Sequence, residues 1–264
     1  MKYSINLFLF ATIMLAFIRC KSTQKTEART NEWVQLFNGK DLNNWHVKIK
    51  GYPLGENIYN TFRVENGALQ VNYDGYNEFD RRFGHIFYKN PYASYILKLQ
   101  YRFIGSQVKG GEGWAQKNSG VMIHAQSPQS MNVNQDFPVS IEVQLLGGLT
   151  KGKERSTANL CTPGTYVLIN DKLVTAHCTP STSKTYYGNQ WVDLEVLVLG
   201  DSLISHKVNG KTVISYAKPQ IGGEHNTLKN KEGEPLTAGY IALQSESHPV
   251  EFKNIYLKVL AFAK

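Results

Sequence analysis

The side chains able to move a proton or hold a polar ligand fall at alternating positions in four short stretches. In IEVQLL (residues 141–146), Glu142 and Gln144 alternate with Ile141, Val143 and Leu145. In GVMIHAQ (120–126), Met122, His124 and Gln126 oppose Val121, Ile123 and Ala125. In YILKLQYRF (95–103), Lys98, Gln100 and Arg102 oppose Leu97, Leu99, Tyr101 and Phe103, and in YIALQSE (240–246) Gln244 and Glu246 oppose Ile241 and Leu243. A period of two puts one set on the core side of a strand and the other on its far side. Merely solvated strand faces favour Thr, Ser and Lys. These carry His, Glu, Gln and Arg, the types that bind sugars, metals and protons.

Each of these residues also has a structural reading. Glu142 can pair with Lys98 or Arg102 as a cross-strand salt bridge. His124 can be a satisfied sheet histidine, and Arg102 and Gln100 can face bulk water. Glu246 and His248 flank a turn before Pro249. His85, His206 and His225 have no partner that sequence spacing identifies, and no fixed-spacing ligand motif supports a metal.

The elements that must position these groups are strands. Candidates are Phe62–Val64, Ala68–Val71, His85–Tyr88, Ser94–Phe103, Gly120–Ala125, Ser140–Leu146, Tyr166–Ile169, Trp191–Leu199, Leu203–Val208, Gly239–Gln244 and Phe252–Leu260. Turn residues punctuate them at Glu65-Asn66-Gly67, Gly200-Asp201 and Asn209-Gly210. Short strands with Gly-rich connections predict an all-β fold, a two-sheet antiparallel sandwich of jelly-roll type. With 264 residues, 42% of them hydrophobic, the chain can bury a sizeable core. No internal repeat or linker divides residues 32–264, which read as one domain. The formal charge of +8 is spread without a dense Lys/Arg run, so the sequence does not predict nucleic-acid binding.

The first twenty residues differ in kind. Lys2 precedes an apolar run from Ile5 to Ile18, and Arg19-Cys20 close it, which reads as a signal peptide of lipoprotein type. Cys20 would be the lipidated residue and the only membrane attachment, although Arg19 stands where a small residue is usual. Residues 21–31 read as a flexible tether. Export to the periplasm or cell surface follows, and in an oxidising compartment Cys161 and Cys178 are most simply a disulfide. A catalytic thiol or two buried free thiols are the alternatives. The intervening segment reads as a hairpin turning at Asp171-Lys172.

Several stretches in order carry a resemblance: LFNGKDLNNW (36–45), FRVENGALQV (62–71), KNSGVMIHAQ (117–126), IEVQLLGG (141–148), CTPGTY (161–166) and GYIALQSESHPVEFKNIYLKVL (239–260). The chain resembles the 3-keto-disaccharide hydrolase family, which has a concanavalin A-like jelly roll and is common among exported bacterial lipoproteins. Many members carry Arg where this chain has His124, and acidic residues or Asn where it has Gly147-Gly148.

The resemblance implies cleavage of 3-keto-glycosides. An ordinary glycosidase needs two carboxyl groups astride the bond, and the strand at Glu142 offers Gln144 where related jelly-roll glucanases carry a second acid. Glu246 or Asp136 would have to supply a partner. A 3-keto group changes the need: it acidifies the hydrogen on C2, and the enolate expels the aglycone from C1 before water adds back. One base and one group at the developing oxyanion suffice. Glu142 or His124 is then the expected base, the other a proton relay or metal ligand, with Arg102 or a divalent ion polarising the oxygen. Gln144, Gln244, Gln100 and Glu246 would bind the sugar. Trp114, central in the Gly-rich loop 105–120, would stack on a ring, with Tyr76 a weaker candidate and Trp45 and Trp191 in the core. A non-catalytic carbohydrate-binding module and a surface interaction protein are the competing readings.

Overall fold

The computed structural model describes residues 32–261, so the signal segment, Cys20 and the tether lie outside the described residues. The first eight strands are β1 (Trp33–Gln35), β2 (Trp45–Ile49), β3 (Phe62–Glu65), β4 (Ala68–Val71), β5 (Gly84–Tyr88), β6 (Ser94–Phe103), β7 (Asn118–Ala125) and β8 (Ile141–Leu146). They continue with β9 (Asn159–Cys161), β10 (Thr165–Ile169), β11 (Lys172–Val174), β12 (Cys178–Thr179), β13 (Val192–Leu199), β14 (Leu203–Val208), β15 (Lys211–Ile221), β16 (Tyr240–Ser245) and β17 (Val250–Val259). Helix is confined to short 3-10 turns among the described residues.

All pairings are antiparallel, in two sheets. One runs β11-β10-β15-β14-β13-β6-β17-β4-β3, with β1 added beside the far end of β17. The other runs β12-β9-β8-β7-β16-β5-β2. The aliphatic sets read from alternation meet between them: Ile141, Val143 and Leu145 with Val121, Ile123 and Leu243 from one sheet, and Leu97, Tyr101, Leu194 and Phe252 from the other. This is the two-layer packing of a β-sandwich.

Turn chemistry fixes the registers. Asn66-Gly67 and Asn209-Gly210 each supply two left-handed residues to a two-residue hairpin loop, the geometry that suits the strands' twist. The β10–β11 hairpin turns at Asn170-Asp171, one residue earlier than expected, because Ile169 pairs Lys172. That hairpin belongs to the larger sheet, while β9 and β12 on either side of it return to the smaller one. There Cys161 pairs Cys178, and the two form a disulfide. The long strand β15 escaped the sequence reading because its mixed composition and Pro219 hide the alternation.

Trp45 is buried, with its indole N–H donating to the Leu36 carbonyl at 3.1 Å. Trp191 is not a core residue. It lies half-exposed on the outer face of the ten-stranded sheet, beneath Arg102 and Lys253.

Candidate functional site

The outer face of the seven-stranded sheet carries a rank of polar side chains set by register. Lys48 of β2 pairs His85 of β5, which pairs Gln244 of β16. Leu243 pairs Val121, carrying the rank on to Gly120 of β7; Gly120 pairs Gln144 of β8, and Gln144 pairs Asn159 of β9. One row along lie Met122, Glu142 and the disulfide. Glu142 leans from its own row over Gly120, where an added Cβ would stand 2.5 Å from its Oε1. The missing side chain of Gly120 is therefore the space that the Glu142 carboxyl occupies.

Above this floor opens a cavity of about 220 Å³. Asn118, Glu142, Gln144 and Glu246 line its base, and the disulfide lies along one side. Trp114, Phe83, Phe137, His225 and His177 follow one another along a single arc of its lining, with neighbouring ring centroids 5.0–6.2 Å apart. Trp114 is 52% exposed and stacks on Phe83 with 18° between the rings. Its loop is stapled by Arg155, whose guanidinium donates to the carbonyls of Gln116 (2.7 Å), Gly147 (2.8 Å) and Trp114 (3.2 Å). Arg81 caps the same arc over the Phe83 ring and pairs with Asp136 at 2.9 Å. The volume holds roughly seven waters at liquid density, about one sugar ring.

The electrostatics of the floor are unusual for a sheet surface. Glu142 is 6% exposed and Glu246 3%, and neither forms a salt bridge among the described residues. Burial pushes the Glu142 carboxyl up to about 8. Glu246 is raised well above the ordinary carboxylate value by burial and by the neighbouring Glu142, against a smaller pull from Arg155. Two carboxyl groups in one dry site resist double ionisation, so at least one of them stays protonated near neutrality. Gln244 is fully buried beside Glu246, 3.5 Å from it, with its own carbonyl oxygen unpartnered. His85 is held neutral, lowered to about 3 by burial and then by Lys48.

Two amides are aimed at the same space. Asn159 donates its Nδ2 to the Gln144 carbonyl oxygen at 3.1 Å, and Asn159 is itself fixed by Ser156 and the Ser181 N–H. That relay fixes the Gln144 amide with its Oε1 toward Asn159. Asn118 presents a buried, unpartnered Oδ1. Carboxyls able to exchange a proton, amide donors and an aromatic wall suit a polar, ring-shaped ligand.

Of the residues proposed from sequence, Glu142, Gln144, Glu246 and Trp114 meet at this cavity, with Gln244 beside Glu246. His124 does not join them. A bulge sets Ile123 and His124 against a single residue of β16, and His124 adopts φ +48°. Its Nε2 instead lies 2.9 Å from the Gly200 carbonyl in the β13–β14 turn of the other sheet. Arg102 and Gln100 belong to β6 in the ten-stranded sheet and face away from the cavity. Arg102 donates to Glu251 at 2.6 Å, and Gln100 donates to Asp193 at 2.6 Å. Lys98 pairs with Glu195, so neither salt bridge considered for Glu142 forms. Asp136 is occupied by Lys50 and Arg81, and Tyr76 is buried against Thr61.

The sequence reading did not single out Asn118, Phe83, Phe137, Arg81 or His177 for the site. Asn118 shares parity with Gly120, which was the available signal. The others come from loops or short edge segments, where no periodicity assigns a face.

A model of the 3-keto-alpha-glucoside-1,2-lyase-like domain matches residues 32–258. Among solved structures, a glycosyl hydrolase candidate from Parabacteroides distasonis ATCC 8503 is 18% identical and superposes with a TM-score of 0.53, covering 87% of this chain and 100% of its own. The exoplasmic/lumenal domain of VIP36, in a Ca²⁺/Man3GlcNAc-bound form, is 8% identical with a TM-score of 0.50, covering 88% and 90%. At such identities the structural likeness shows the lectin-like jelly-roll fold. No curated protein matches the sequence.

Proposed function

The chain belongs to the 3-keto-alpha-glucoside-1,2-lyase-like family, and from that premise we propose that it cleaves 3-keto-glycosides by elimination and hydration in the cavity over Gly120. The family supports a carbohydrate-active, glycosidase-like role. The observation that carries the finer reading is the pair of buried, unpaired carboxyls, Glu142 and Glu246, in a cavity the size of one sugar ring.

Glu142 in its ionised form takes the hydrogen from C2, made acidic by the neighbouring ketone. Electrons of that C–H bond form the enolate, whose oxygen accepts a hydrogen bond from the Gln144 amide. The enolate collapses with rupture of the C1–O bond, and protonated Glu246 gives its proton to the departing alkoxide. Water then adds its oxygen to C1 of the enone and a proton returns to C2, so the sum is hydrolysis. A carboxylate raised by burial is a stronger base than one in water, which is what abstraction of a carbon-bound hydrogen needs. Trp114 and Phe83 would take the apolar face of the ring.

Incubation of the purified chain with a 3-keto-disaccharide in D₂O tests the reading. The expected product is a 3-keto-sugar carrying one enzyme-dependent deuterium at C2, with the unoxidised disaccharide untouched. Release without C2 deuterium would mean direct hydrolysis, and binding without release would favour a non-catalytic carbohydrate-binding module. Export and lipid anchoring at Cys20 complete the proposal, checked by loss of fatty-acid labelling in Cys20→Ala.

A further inference from the structure

We propose that His177, Glu224 and His225 form a binding site for one divalent transition-metal ion of the zinc class at the mouth of the cavity. One ring nitrogen from each histidine and one Glu224 carboxylate oxygen lie within 4.8 Å of one another. Ligands about 2.1 Å from a tetrahedral ion sit about 3.4 Å apart, so the three must close by up to about 1.4 Å, a rotamer-scale movement. Two imidazoles and a carboxylate suit zinc, manganese or cobalt, whereas calcium and magnesium take oxygen donors.

Three further observations separate this cluster from a chance meeting of surface groups. The Nδ1 of His177 is shut off from water and has no hydrogen-bond partner among the described residues, so that ring has a nitrogen free of any competing contact. The two ligand-bearing segments, far apart in sequence, are tied to one corner of the sheet. Thr162 N–H donates to the His177 carbonyl at 2.8 Å, and Gly164 N–H donates to the Glu224 carbonyl at 2.6 Å. The Cys161–Cys178 disulfide locks the residue next to His177. His225 itself sits in the left-handed region at φ +64°, a conformation that costs a non-glycine residue and that the corner holds in place. Its ring is wedged edge-on between Phe137 and His177, at 5.3 and 5.4 Å.

Three protein ligands leave a coordination position open. His177 and His225 line the same cavity as Glu142 and Glu246, so an ion held there would border the space proposed for the ring. On the reading given under Proposed function, the ion would polarise the keto oxygen and take the role that the sequence assigned to Arg102 or a metal. That role rests on the reading; the binding does not.

Calorimetric titration of the metal-stripped chain with Zn²⁺ tests the binding, with Ca²⁺ as control. One Zn²⁺ per chain is expected, with Ca²⁺ silent. The double substitution His177→Ala/His225→Ala is expected to weaken Zn²⁺ binding by about 100-fold or more, and Glu224→Gln by about tenfold, with thermal melts checking that each variant folds. Glu142→Gln should bind Zn²⁺ as the wild type does. Weak binding of several ions per chain, or stoichiometric binding that survives the double substitution, overturns the site. Stoichiometric binding with no cleavage of a 3-keto-glycoside would keep the site and sink the proposed reaction.

Discussion

Glu251 and Glu142 are equally hidden from water, 5% and 6% exposed, on the outer faces of opposite sheets, yet their surroundings have little in common. Glu251 accepts from Arg102 at 2.6 Å and from Gln70 at 2.9 Å, and Arg102 in turn lies over Trp191. Both of its oxygens are occupied, as expected of a carboxylate that stabilises a sheet face. Glu142 has a second carboxyl for a neighbour and a glycine beneath it. A buried carboxyl without a partner costs stability and marks a candidate for chemistry, whereas a paired one is accounted for by its partner.

That contrast breaks most directly by substituting the two acids. Glu142→Gln is expected to lower kcat on a 3-keto-disaccharide by about 10³-fold, within the range for a general base, while leaving the melting temperature unchanged or higher. Glu251→Gln should leave kcat alone and cost about 1–3 kcal/mol in denaturant unfolding, because Arg102 loses its charged acceptor. If Glu251→Gln proved as damaging to turnover as Glu142→Gln, the division between the two faces would collapse.

Gly120→Ala sharpens the contrast without touching a functional group. Its Cβ would come within 2.5 Å of the Glu142 Oε1 and displace the carboxyl. A kcat loss of about 10²-fold is expected for a displacement near 1 Å, with KM little changed.

The pH profile comes next in size. Turnover should rise with pH as Glu142 ionises, half-maximal near the value of about 8 to which burial raises it. Stability runs the opposite way. A carboxyl raised in the folded state above its ordinary 4.5 binds more protons folded than unfolded. Its contribution is fully present below pH 4.5 and is lost as pH rises through about 8. Chemical denaturation across that window should show a falling slope in the wild type that flattens in Glu142→Gln, and a slope unchanged by the substitution would refute the shift.

Smaller effects are expected from the walls. Trp114→Ala should raise KM by about three- to tenfold, the worth of one aromatic contact, with kcat nearly kept. Gln100→Ala, on the far sheet, should change neither constant.

The sandwich was legible because period-two alternation and Asn-Gly turns depend on local sequence alone. The same parity put Glu142 and Gln144 on the correct face, and it misled where its two assumptions fail. It assumes an unbroken strand, and the bulge at His124 turned that ring toward Gly200. It also gives a face without saying which sheet the strand joins, and so Arg102 and Gln100 were assigned to a site that lies across the core from them. The rim groups His177, Phe83 and Phe137 sit where no period operates, and only the folded chain brings them together. Glu246, one residue past β16, kept its alternation and was found, but its coupling to Glu142 depends on a neighbour two strands away.

The hollow above Gly120 is walled by Trp114 and Phe137, shut below by a continuous sheet and about 220 Å³ in size. The sheet bars any passage beneath, and the space above it takes about one ring. If the proposed chemistry holds, a longer saccharide would be engaged one unit at a time, with the rest of it lying in solvent.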